Sequence, residues 1–95
     1  MWHLMQGEAL LGILTLSYTD QPFYFCTFEP TASYQIAKPF FERELAFLNA
    51  DDMESWESAY DAIDKLGLCL KDIEENVVIT EFILHIEADE AWFRY

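Results

Sequence analysis

Residues 77–95 read VVITEFILHIEADEAWFRY, and the way this stretch can pair with itself decides the fold. Val77 to Glu87 reads as a long strand, Ala88-Asp89-Glu90 as a turn, and Ala91 to Tyr95 as a last strand. A loop from Glu87 to Glu90 opposes Ile86 to Ala91, His85 to Trp92, Leu84 to Phe93 and Phe82 to Tyr95. That register gathers Phe82, Leu84, Ile86, Phe93 and Tyr95 on one face, an unbroken apolar set. A slip of one residue would turn every side chain to the other face, so the pattern itself argues for the register. The opposite face then holds Glu81, Ile83, His85, Glu87, Trp92 and Arg94.

Working back toward the N-terminus, the period changes at Gly67. Leu68 to Lys71 predicts a short strand, and Gly67 itself closes a helix in the C′ role. That helix carries Met53, Trp56, Tyr60 and Ile63 as its buried stripe. Asp51 with Glu54 three residues on gives it a capping-box-like start. An earlier helical stripe runs through Tyr34, Ala37, Phe41, Leu45 and Leu48, with Thr31 as its expected N-cap. Pro39 lies inside this segment, so the helix must kink there or begin there.

The first third of the chain predicts three strands. Trp2 to Gln6 and Ala9 to Tyr18 form a hairpin around Gly7-Glu8. A turn at Thr19-Asp20-Gln21-Pro22 leads into an aromatic strand from Phe23 to Phe28. The second strand is apolar on both period-2 faces, with Leu10, Leu14 and Leu16 on one and Leu11 and Ile13 on the other. Such a strand is central, or one of its faces lies against a partner. The expected fold is therefore one α+β domain over residues 1–95, a mostly antiparallel sheet in the order βββ-αα-βββ with two helices packed on one face.

Composition narrows the function classes. The 95 residues are 53% hydrophobic and 17% aromatic, with eighteen acids against five bases and a formal net charge of −13. Hydrophobicity at this level supports a packed core rather than disorder. The negative field repels phosphate backbones and anionic membrane surfaces, so direct nucleic-acid and membrane binding are not expected. The apolar run from Ala9 to Tyr18 is too short to span a bilayer and lacks the basic flank of a signal peptide. Cys26 and Cys69 sit in strand-like runs without metal spacing. A reduced, cytoplasmic protein is the expectation.

No pattern for chemistry emerges. No nucleophile elbow, Gly-rich phosphate loop, calcium loop or paired-histidine zinc motif is present, so no catalytic residue, metal ligand or cofactor is assigned. His85 with Glu81 or Glu87 is the nearest approach to a base and its orienting carboxylate. Strand rise puts i and i+4 about 13 Å apart and i+2 about 7 Å apart, which leaves the signal weak. Two surfaces remain as binding candidates. One is the mixed face with His85, Trp92, Arg94 and Glu81, since Trp and Arg are enriched in interface hot spots; the plainer alternative is a solvated sheet face. The other is the acidic surface of the second helix, Asp52, Glu57, Asp61 and Asp64, for which a solvated charged face is again the plainer alternative. The expectation is a non-enzymatic interaction module that meets a protein partner or a second copy of itself. Its sharper form is an inhibitor or immunity-like protein that masks a basic site. The rival expectation is a small-ligand binder or enzyme with a pocket between helices and sheet, using His85, Trp92, Arg94 and Tyr60.

Overall fold

Gly7, at a φ of 59°, lets the chain reverse between β1 (Trp2–Gln6) and β2 (Ala9–Asp20), in a backbone region that glycine enters without steric cost. These strands open a computed structural model that describes residues 1–95. β3 (Phe23–Pro30) completes the meander. A short 3₁₀ helix, Ala32–Ile36, then leads into α1 (Lys38–Asn49), which has Pro39 in its first turn. The lost N–H of proline is harmless there, so the helix begins at the proline instead of kinking around it. After α2 (Met53–Asp64) the chain forms β4 (Leu68–Asp72), β5 (Val77–Ile79), β6 (Ile83–Glu87) and β7 (Glu90–Arg94). The α+β class holds: two helices lie between strands 3 and 4 of one antiparallel sheet.

The seven strands lie in the order β5-β4-β1-β2-β3-β7-β6. The expected long strand from Val77 to Glu87 is in fact two strands, and they lie at opposite edges of the sheet. Only Thr80, Glu81 and Phe82 join them. Across a flat sheet the two edges would stand about 29 Å apart at the usual strand spacing. The link can reach only about 14 Å even when fully extended. The sheet therefore curls into a half-barrel, which brings its two edges near each other.

The β6–β7 register is the expected one for Ile86–Ala91, His85–Trp92 and Leu84–Phe93. Leu84, Ile86, Ala91 and Phe93 face inward and are buried. Leu4, Leu14, Phe28 and Leu70 join them from the neighbouring strands, and Tyr34, Phe41, Tyr60 and Ile63 from the helical segment.

Two irregularities break the alternation of β2. Leu11 is skipped in the pairing with β1, and Ser17 in the pairing with β3. A bulge leaves its extra residue outside the ladder. Here the carbonyls of Leu10 and Leu11 accept the Thr31 hydroxyl, and that of Leu11 also accepts the Thr31 N–H. Thr31 is thus a clasp on the bulge; it sits at the start of the 3₁₀ helix but makes no side-chain cap. The bulge at Leu11 lets Leu11 and Leu14, of opposite parity, turn to the same side. Leu11 and Leu14 are buried, whereas Leu16, expected beside Leu14, is 45% exposed. Gly12 is required by packing, because a Cβ there would run into the Phe28 ring.

Candidate functional site

α2 starts one residue later than its sequence suggested. Asp52, not Asp51, is the N-cap, and its carboxylate accepts the Ser55 N–H at 3.2 Å. Of the expected stripe, Tyr60 and Ile63 are buried and Trp56 half-buried, and Ala59 joins them in the core. Met53, expected in the stripe, is 46% exposed. On the adjoining face of the helix Glu57, Asp61 and Asp64 recur at helical spacing and are all exposed.

These three acids form one bank of a shallow groove of about 280 Å³, whose remaining lining is Trp56, Tyr60, Phe82 and Ile83. Asp52, the fourth acid, lies at the helix start, outside the groove. Burial and the neighbouring Asp61 push the Asp64 carboxyl above the ordinary aspartate range. Lys65 offers the only ion pair along this bank, to Asp61 at 3.0 Å. The groove therefore combines crowded negative charge with apolar surface, a combination that favours a cation carrying hydrocarbon or aromatic bulk.

Both aromatic groups on α2 are fixed from beneath. The Tyr60 hydroxyl accepts the Leu84 N–H at 2.7 Å and lies 3.5 Å from the Phe82 carbonyl, to which it donates. It thereby satisfies backbone groups on the side of β6 that has no strand neighbour. Its own ionisation is pushed well above the ordinary tyrosine range, chiefly by burial. The Trp56 indole N–H donates to Glu44 Oε1 at 2.9 Å. The two rings lie 5.3 Å apart.

Glu44 extends this scaffold into the protein. It is 0% exposed, and the same oxygen lies 2.6 Å from His85 Nδ1. Its second oxygen has no partner. Sequence reasoning missed Glu44, because a glutamate on a helix is ordinarily a solvent residue. The one signal was its position, three residues after Phe41 and next to Leu45 in the inward stripe. His85 departs from expectation in the same way. It was placed on an open sheet face and is 5% exposed, because α1 packs against the edge strand β6 and reaches round to it. Neither Glu44 nor His85 lines the α2 groove or the other grooves beside the helices.

The mixed face is accordingly divided. Trp92 is half-buried, with its ring 5.5 Å from His85. Arg94 pairs with Ile83 as expected, but makes no ion pair with Glu81; its guanidinium lies over Phe23, 6.0 Å from the ring centroid. Glu81 is exposed in the link between β5 and β6. The groove between the helical segment and the β6–β7 hairpin measures about 340 Å³ and is lined by Tyr34, Lys38, Glu42, Leu45, Ile86 and Glu87 among others. None of His85, Trp92, Arg94 or Tyr60 opens into it. Cys26 and Cys69 are free thiols, and burial raises the Cys26 pKa to about 11. No helix is long and apolar enough to cross a membrane.

No family model matches the chain, and neither a curated protein nor a solved structure is significantly similar to it.

Proposed function

We propose that this chain is a non-enzymatic protein-interaction module that docks a basic partner against α2, in the manner of a small acidic inhibitor or immunity-like protein acting in the cytoplasm. One observation carries the reading. Glu57, Asp61 and Asp64 stand together beside an aromatic floor whose polar tips are already bonded inward. A surface of fixed side chains loses little conformational freedom on binding, so more of the contact energy appears as affinity. The net charge of −13 would draw a basic partner in and make the association fast and salt-sensitive.

The test is capture from the protein's own cells at low salt, with wild type and a neutralised variant side by side. The variant carries Asp52→Asn, Glu57→Gln, Asp61→Asn and Asp64→Asn; asparagine keeps the N-cap of α2 intact. The expected result is one stoichiometric basic protein that elutes as salt rises and is lost from the variant. Equal capture by both proteins would end the α2 reading. Recovery of this chain alone would end the basic-partner reading and direct attention to self-association.

A further inference from the structure

The outer face of the sheet carries a row of rings that the α2 groove does not use. Skipping Ser17 puts Tyr18 opposite Phe25, and their rings stack 4.7 Å apart with 3° between planes. Phe25 stacks in turn on Trp92, at 6.3 Å and 16°, and Trp92 leans on His85. The row crosses four strands, from Tyr18, 58% exposed, to buried His85.

What flanks the row differs on its two sides. On one side lies Phe23, already covered by the Arg94 guanidinium. On the other, Glu87 and Glu90 stand directly opposite each other across β6 and β7, with Thr27 beside Glu90 on β3. Like charges in that position repel. The hollow at this acidic end measures about 270 Å³ and is lined by Tyr18, Phe25, Trp92, Thr27, Glu87 and Glu90 among others, with no base. Its size falls just below the range of roughly 300–1,000 Å³ usual for small-molecule pockets and suits a single side chain.

We propose that this hollow receives an arginine side chain from a partner polypeptide. The guanidinium packs against the parts of the Tyr18 and Trp92 rings left open to the hollow, and its N–H edge donates to Glu87 and Glu90. A guanidinium is planar and weakly hydrated, so it stacks on aromatic faces while its fork matches carboxylates; an ammonium does neither as well. Arg94 on Phe23 is the same contact made within the chain, at the other side of the same row. The hollow shares no lining residue with the α2 groove, so the two readings stand or fall separately.

The three tryptophans make the test specific. Trp92 lines this hollow, Trp56 lines the α2 groove, and Trp2 lies in the core. Indole N–H resonances are followed by NMR while a short capped peptide of alternating Gly and Arg is added, then its Lys counterpart. The expected result is a saturable shift of the Trp92 indole, with dissociation at least about threefold tighter for the arginine peptide, the scale of one exposed cation–π contact. Tyr18→Ser and Glu90→Gln, both at exposed positions, should each weaken arginine binding about threefold or more while the Trp2 resonance stays in place. A shift of Trp56 alone would overturn this site and leave the α2 groove standing. Equal affinity for both peptides, or undiminished binding by Glu90→Gln, would overturn it as well.

Discussion

Tyr60 does two jobs with one side chain: its ring floors the α2 groove, and its hydroxyl accepts the Leu84 N–H at 2.7 Å. Tyr60→Phe would keep the ring and strand the buried amide. The expected cost is about 1–3 kcal/mol, the penalty for an unsatisfied buried donor. Urea unfolding should show a lower midpoint with unchanged slope. Asp64 should behave in the opposite sense. Its pKa in the folded chain is raised, by partial burial and then by Asp61, so the folded state holds that proton more tightly than the unfolded state does. Stability from this group is greatest where both states are protonated and falls as pH rises through the window between the two values. Asp64→Asn should therefore stabilise the protein at pH 7, by no more than about 0.5 kcal/mol because the side chain is exposed, and should make no difference near pH 2. A gain that persists at low pH would show that charge is not the cause.

At the scale of elements, the join between α1 and β6 depends on Glu44 and His85. Glu44→Ala leaves the His85 ring and the Trp56 N–H without their acceptor, at a cost of about 1–3 kcal/mol for a buried group so stranded. The double change Glu44→Leu with His85→Phe removes both members of the pair and should recover part of the loss, since apolar replacement of a whole buried pair is often neutral, while the Trp56 N–H still lacks its acceptor. If the double variant were less stable than Glu44→Ala alone, the pair would be contributing net stability rather than fixing how the elements meet. This join also shows where sequence reading stops. The β6–β7 register was legible because Leu84, Ile86, Ala91 and Phe93 alternate cleanly, and the acids of α2 were legible because Glu57, Asp61 and Asp64 keep helical spacing. Glu44 was not, because residue type argues for solvent and only a tertiary neighbour argues otherwise. Nor were the bulges: alternation cannot say where a strand takes an extra residue. Without the one at Ser17, Tyr18 would pair with Tyr24 rather than Phe25, and the row of stacked rings would not form. The division of Val77–Glu87 was hidden for a similar reason, since Thr80, Glu81 and Phe82 do not interrupt a strand by residue type.

For the molecule as a whole, charge should act on the fold and on the proposed basic partner in opposite directions. A net charge of −13 is held on a body whose Cα radius of gyration is 12.6 Å. At about 0.01 M salt the screening length is roughly 30 Å, so every carboxylate feels the others; at about 0.3 M it is near 5–6 Å and only neighbours interact. Self-repulsion destabilises a compact state, so sodium chloride added across this range should raise the melting temperature. A gain of about 1 kcal/mol would appear as roughly 4–8 °C for a chain of this size. Chloride is the right anion, because sulfate would strengthen apolar burial by exclusion and confuse the cause. Over the same range a basic partner should bind more weakly. A protein that melts higher over the range in which the proposed partner is released would show that the acidic surface costs the fold stability while it serves binding. A melting temperature that stays flat while binding still falls would place the cost of the charge within a few local clusters, with Asp61–Asp64 and Glu87–Glu90 the first to neutralise.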